Sequence, residues 1–275
     1  MKPHFLKLHY PRRLSRFTRR LRRPVIGLHL WVADELERIG VPFLPEVGGG
    51  VFGRDPRESW GFLLRELSPT GARCIPPTVP LFALYGRDYH AAGHPTLLEQ
   101  LVLASGESPE GYLTQHIVRP MVRLWLEVVH RTGCALELHG QNTLFTFSAA
   151  TWEGSIVYRD CAVYVDPAIR KELSLGPHLP EVNVISRDIL FAREEVFSLT
   201  YDSFMGHHAL AYIASAAHRR WGIRPEVLHA AAKDQFAELS SGASLLPDTV
   251  FYYDGALRPD GKWELVDTGR APAWR

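Results

Sequence analysis

His139, Gln141 and Asn142 stand in one short polar stretch, after the apolar-rich run Ala135-Leu-Glu-Leu138 and before Thr143-Leu-Phe145. A second β-like run, Ser155 to Tyr158, delivers Arg159 and Asp160. An amide oxygen and a carboxylate at the ends of neighbouring strands are ligands for Mg²⁺, a hard cation that takes oxygen donors and keeps nucleotide phosphates as co-ligands. An imidazole beside them is placed to meet a phosphate oxygen. The plainer alternative is a polar β-turn whose Asn and Asp bond their own backbone.

The elements that must position these residues can be read along the chain. Residues 4–10 form a strand, and Leu14, Phe17 and Leu21 recur at helical spacing, so Arg12 to Arg22 reads as a basic amphipathic helix. Pro24 and Gly40 bracket a second helix from Val25 to Ile39. Gly48-Gly49-Gly50 reads as a hairpin turn between two strands, and residues 60–67 as another strand. Such a turn can approach phosphates through its amides, but the GxGxxG fingerprint is absent. Ser68 to Pro80 is a Pro/Gly-rich loop. Helices are expected over Thr96 to Ala104, over Pro109 to Thr132 with a break at Pro120 and a stop at Gly133, over Thr200 to Trp221, and over Pro225 to Leu239. Between them lie a β-rich stretch from Ala135 to Val165 and a loop from Asp166 to Val184. Thr249 to Asp254 and Trp263 to Val266 read as a terminal hairpin. His207 and His208 with Asp202 resemble a metal set, but adjacent helical residues point about 100° apart, so a surface or core-edge pair is the better reading.

Composition narrows the function classes. The 275 residues are 46% hydrophobic and 22% charged, as in a globular protein with a substantial core. No apolar run reaches the ~20 residues of a membrane-spanning helix. Cys74, Cys134 and Cys161 are few, scattered and without a CxxC, which supports neither a zinc knuckle nor a disulfide framework and points to a reducing, cytoplasmic setting. The net charge of +1 hides a basic start: residues 1–23 hold nine Lys/Arg and no acid. A nucleic-acid patch, a transit peptide and a polyphosphate site compete for that segment, and the phosphate reading is preferred because guanidinium groups converge well on one anion.

His139-Gly-Gln-Asn142 followed by Arg159-Asp160 resembles the signature of the IucA/IucC-type siderophore synthetases, which work without a nonribosomal template. Lys7, then Ser15, then Arg19 resembles the family's strand Lys and its Thr-x-x-x-Arg helix start, with Ser in place of Thr. Gly61 to Leu67 and Pro80 to Tyr85 resemble two further stretches in the family's order. The resemblance runs from about residue 4 to about residue 215 and covers the family's C-terminal half. It implies an α+β fold: a small mixed α/β nucleotide-binding lobe over 1–86, packed on a larger, mostly helical lobe over 87–275 that carries a β-hairpin catalytic loop. Protein kinases, which also place an Asn and an Asp on Mg²⁺, are a distant likeness.

The family adenylates a carboxylate, often citrate, with ATP, and an amine then displaces AMP. Carried over residue by residue, the resemblance gives Lys7 and Arg19 to the phosphates, Ser15 to a phosphate hydrogen bond, His139 to the α-phosphate region, and Asn142 and Asp160 to Mg²⁺. Arg65 is a weaker candidate for organising the cleft, with an ordinary ion pair as the alternative. The implied partners are small carboxylates and amines, with no nucleic acid, and a partner chain or second copy to supply the family's N-terminal half. Two features depart from the pattern. Arg159-Asp160 is followed by Cys161-Ala162 where the family has a second acid, and the family's upstream half and C-terminal Lys segment are not found. A degenerate, non-catalytic nucleotide- or siderophore-binding relative is therefore the alternative. A ferric-siderophore reductase is a poorer one, since its [2Fe–2S] cluster needs four cysteines near the C-terminus.

Overall fold

The computed structural model describes residues 3–10, 13–14, 17–18, 21–53, 60–72, 75–91, 93–240, 245–254 and 264–275, with backbone alone at 13–14 and 17–18. In chain order the elements are β1 (His4–Leu8), β2 (Arg13–Leu14), β3 (Phe17–Thr18), α1 (Arg23–Ile39), β4 (Glu46–Phe52), β5 (Trp60–Glu66), β6 (Thr78–Pro80) and α2 (Leu81–Leu84). There follow α3 (Leu97–Ser105), α4 (Pro109–Leu113), a π-helical stretch Thr114–Val118, α5 (Arg119–Thr132), β7 (Cys134–Ala135), β8 (Thr143–Phe147), β9 (Gly154–Tyr158) and β10 (Tyr164–Val165). Last come α6 (Pro167–Glu172), α7 (Arg193–Ser198), a second π-helical stretch Leu199–Leu210, α8 (Ala211–Trp221), α9 (Pro225–Leu239), β11 (Phe251–Tyr253) and β12 (Leu265–Asp267). The fold is thus mixed α/β, with small sheets and several helices.

Two compact units divide the chain. The first comprises Met1–Ile75, Val128–Leu136 and Arg159–Leu190, and the second Pro76–Glu127, Glu137–Tyr158 and Phe191–Arg275. In the first, β1, β5 and β4 form an antiparallel sheet in that order. Helix α1 carries Pro24 in its first turn, where the missing N–H costs nothing, and is capped at its end by Gly40. There φ is 74°, and the Gly40 N–H bonds the carbonyls of Leu36 and Glu37. Leu21, Ile26 and Leu63 bury one another where the helix meets the sheet. A short β7–β10 pair and α6 complete the unit. Asp166 caps α6 by accepting from the N–H groups of Ala168 and Ile169.

Three expectations change here. The segment around Arg12 to Arg22 forms no helix over its described residues: Arg13–Leu14 pairs antiparallel with Phe17–Thr18. Helical spacing of three apolar residues does not outweigh a run of like charges that would repel along a helix face. Gly48, Gly49 and Gly50 lie inside β4, paired with Leu64, Leu63 and Phe62, instead of forming a turn. Close approach needs glycine at Gly49, where a Cβ would stand 2.6 Å from the Phe62 oxygen and 3.1 Å from Ile26 Cγ2 of α1. A Cβ on Gly61 would stand 2.3 Å from the Gly50 oxygen and 2.6 Å from Ile26 Cδ1. The Asp166 to Val184 loop contains α6, signalled by Asp166-Pro167, an N-cap residue followed by proline at the first helical position.

Those packing distances carry a prediction. Gly61→Ala should lower stability by about 2–3 kcal/mol through overpacking. Gly27→Ala, on α1 with nothing within 4 Å of the added methyl, should raise it by about 0.5–1 kcal/mol. Urea unfolding of the two variants checks both; a neutral Gly61→Ala would contradict the tight helix–sheet contact.

In the second unit, β6, β8 and β9 form an antiparallel sheet, and β11 pairs with β12. The break expected at Pro120 appears as the π-helical stretch just before it, which widens the turn where proline cannot donate. The second π stretch carries Thr200, whose hydroxyl bonds back to the carbonyls of Val196 and Phe197. Asp202, on this stretch, bonds Arg275 and Ser198 and so is engaged apart from any pairing with His207. Trp125, Phe197 and Tyr201 pack edge-on at the centre.

Candidate functional site

Sheet register brings three charged residues of the first unit to one face. Lys7 lies opposite Leu63, and both Phe5 and Glu46 lie opposite Arg65. Side chains alternate along a strand, so Lys7, Arg65 and Glu46 share the face of Leu63, which packs under α1. From α1 comes His29, on the buried stripe that also holds Val32 and Leu36. From the segment after β9 comes Asp160, 153 residues from Lys7 in sequence.

The resulting network is tight. Lys7 Nζ donates to Asp160 Oδ1 at 2.7 Å. Arg65 donates to Glu46 Oε1 through Nε at 3.2 Å and through Nη2. The other Glu46 oxygen meets His29 Nδ1, which also lies 3.7 Å from Asp160 Oδ1. His29 and Glu46 are buried, while the Asp160 side chain is about a quarter exposed. Burial alone would raise both carboxyls. For Asp160 the charges of Lys7, His29 and Arg65 outweigh it and hold the carboxyl well below the usual range. For Glu46 the His29 hydrogen bond, with His29, Arg65 and Lys7 charge, also outweighs burial and lowers the carboxyl. The Arg65 guanidinium is raised, since Glu46 and Asp160 more than offset its desolvation. Cys161, fully buried next to Asp160, has its thiol pushed well up by desolvation and by Glu46 and Asp160, which makes it a packed residue and no nucleophile.

Asp160 also adopts φ 78°, a left-handed conformation that a non-glycine residue holds only at a cost of about 1–2 kcal/mol. Such strain persists where the surroundings over-determine it and clusters at functional sites.

Of the residues expected at the site, Lys7, Arg65 and Asp160 therefore come together. Ser15 and Arg19 lie outside the described residues. His139 and Asn142 belong to the second unit. There the His139 carbonyl accepts from the N–H groups of Asn142 and Thr143, both at 3.0 Å. His139 Nδ1 accepts from Gln141 N at 3.2 Å, which leaves the ring proton on Nε2 as a donor. Gly140 ties this turn to its surroundings: its N–H bonds the His208 carbonyl, and its carbonyl accepts from Phe82 N. Beside it lies an open hollow of about 380 Å³, lined by Phe82, Tyr85, His139, Phe204, His208 and Tyr252 among others.

His29 and Glu46 are the residues that sequence reasoning misses. A histidine on the apolar stripe of α1 is the one signal for a buried partner; Glu46 gains its meaning from strand register. For Mg²⁺ the chemistry of Asp160 is suitable, a partly open carboxylate, though Lys7 holds it and residue 162 is Ala where a second acid is expected. For phosphates, Lys7 and Arg65 are the right donors.

No curated protein matches the chain. Among solved structures it is similar to petrobactin biosynthesis protein AsbB from Bacillus anthracis str. Sterne, with TM-score 0.67 and 14% identity over 86% of this chain and 42% of AsbB. It is also similar to aerobactin synthetases from a hypervirulent pathotype of Klebsiella pneumoniae. ATP-bound IucA matches with TM-score 0.60 and 18% identity, over 85% of this chain and 44% of IucA. IucC matches with TM-score 0.61 and 16% identity, over 90% of this chain and 46% of IucC. These identities show a shared fold, and the chain spans about half the length of the synthetases it matches. The family model described as ferric iron reductase FhuF-like transporter matches residues 111–254, just over half of the chain. The chain belongs to this FhuF-like family.

Proposed function

We propose that the chain binds ATP with Mg²⁺ and serves an ATP-dependent ligase that joins a carboxylate to an amine in siderophore assembly. The observation that carries this reading is the Lys7–Asp160 contact. The resemblance assigns one of these residues to phosphates and the other to a metal, and the fold puts them 2.7 Å apart. Two fold neighbours are named as aerobactin synthetases and one of them is ATP-bound, which supports it further.

In the proposed reaction a carboxylate oxygen attacks the α-phosphorus and pyrophosphate leaves. The amine nitrogen then attacks the acyl carbon, loses a proton and expels AMP. Negative charge grows on the non-bridging phosphate oxygens, so cations fixed in advance lower the barrier. Lys7 and Arg65 fill that role from the first unit, with Ser15 and Arg19 assigned to it by the resemblance. His139 would donate to a phosphate oxygen through Nε2–H. Asp160 and Asn142 would supply oxygen ligands to Mg²⁺, which offsets phosphate charge when bound. The remainder of the synthetase architecture would come from more of the polypeptide, a partner chain or a second copy.

Calorimetry with Lys7→Ala tests the phosphate role. ATP affinity should fall about tenfold or more, as for a lost charge-assisted bond, and AMP affinity should fall less. Equal losses would make Lys7 purely structural.

A second reading, a ferric-siderophore-reductase-like protein, is favoured by the family match. It needs a redox centre, and Cys134 and Cys161 are both buried, with thiols pushed up by desolvation. Anaerobically purified protein should show no visible iron–sulfur absorbance; a strong band would replace the ligase reading with this one.

A further inference from the structure

We propose that His29, Glu46 and Asp160 form a binding site for one divalent first-row transition ion, with Lys7 as the internal cation that keeps it closed. One ligand atom from each residue lies within 4.8 Å of the other two. Bonds of about 2.0–2.2 Å around one ion set such atoms roughly 3–4 Å apart. His29 Nδ1 and Asp160 Oδ1 already stand at 3.7 Å, while His29 and Glu46, in hydrogen-bond contact, must give up their shared proton and separate slightly to admit the ion. One imidazole nitrogen and two carboxylates suit Mn²⁺, Fe²⁺ or Zn²⁺ better than Mg²⁺, which prefers an all-oxygen shell.

The surroundings support a built site. His29 and Glu46 are buried and fixed from two elements, a helix and a strand. Arg65 grips Glu46 Oε1 and leaves Oε2 turned toward His29, an outer-layer contact of the kind that orients metal ligands. The Asp160 side chain is partly exposed, which gives an ion a way in and leaves room for water or an anion as further ligands. The backbone strain at Asp160, independent of the side-chain distances, is held where this carboxylate must meet His29 and Lys7.

Charge explains the lock. Two carboxylates face two fixed cations, Lys7 and Arg65, with the His29 ring between them, so the set holds no surplus negative charge. A dication added to that balance would meet the Lys7 ammonium 2.7 Å from one of its own ligands. Lys7 must therefore leave before the ion enters. An anion that draws the ammonium off Asp160 would open the site, so cation and anion binding should be coupled. The cation site itself does not depend on the nucleotide reading, because it can be tested with metal alone.

Mn²⁺ titrated into the protein without nucleotide, with the free-ion paramagnetic resonance signal as readout, tests the proposal. Lys7→Gln should bind one Mn²⁺ at least tenfold more tightly than the wild type. Adding His29→Gln or Asp160→Asn to that variant should abolish the gain, and Mn²⁺ should raise the melting temperature of Lys7→Gln alone. No gain in Lys7→Gln, or a gain that survives His29→Gln, overturns the site. If the buried His29 variant fails to fold, the partly exposed Asp160→Asn separates the same two outcomes.

Discussion

Arg65→Met destabilises the protein by about 3–5 kcal/mol, because it strands the buried Glu46 carboxylate without its cation. Methionine fills a similar volume, so the loss is one of charge compensation more than of packing. The double variant Arg65→Met/Glu46→Leu removes both charges and should recover much of the loss, since apolar pairs often replace buried ion pairs at little cost. Urea unfolding of the two variants checks this; a double variant worse than the single would mean that Glu46 chiefly holds His29. Acidification has a definite sign. Glu46 and Asp160 are both depressed in the folded state, so their stabilisation is present above about pH 4 and lost as pH falls through the folded values. Asp160→Asn should accordingly show a shallower loss of stability below about pH 4.

Arg275→Met gives a comparable loss, again about 3–5 kcal/mol, from the second unit. Asp202 is buried and receives Arg275 Nε at 3.0 Å, Nη2 at 3.0 Å and Ser198 Oγ at 2.8 Å. Ser198 Oγ in turn accepts from Phe251 N at 3.0 Å, so the network ties the start of the π-helical stretch to β11. Burial raises the Asp202 carboxyl despite Arg275 and Ser198. Its raised value means that the protonated form is tolerated better in the folded state, and stability is lost as pH rises through that value. Removing Arg275 raises it further, so the deficit should be small near pH 4 and grow toward pH 7. A deficit independent of pH would show that Arg275 acts through packing and its bond to the Pro247 carbonyl.

Much of the fold is legible in the sequence where local chemistry and tertiary need agree. Pro24 and Gly40 bracket α1, Thr96 caps α3 with Glu99 in a capping box, and Gly133 stops α5. Misreadings arise where tertiary contact decides. The three glycines of β4 look like a turn and lie in a strand, with Gly49 pressed against Phe62 and Ile26 of α1. Arg13–Leu14 and Phe17–Thr18 pair as strands although the apolar spacing is helical. The site divides in the same way. Lys7, Arg65 and Asp160 are visible through motif order. His29 and Glu46 are not, because Glu46 meets Arg65 only through the β4–β5 register and meets His29 only through the seating of α1 on the sheet.

Calorimetric titration of ATP into the wild type and Asp160→Asn, each with and without Mg²⁺, bears most directly on the central claim. The Lys7–Asp160 site predicts that Mg²⁺ tightens ATP binding to the wild type by about tenfold or more, as one added charge-assisted contact would, and that Asp160→Asn removes this gain. Equal Mg²⁺ dependence in the two proteins, or no ATP binding to either, would contradict it.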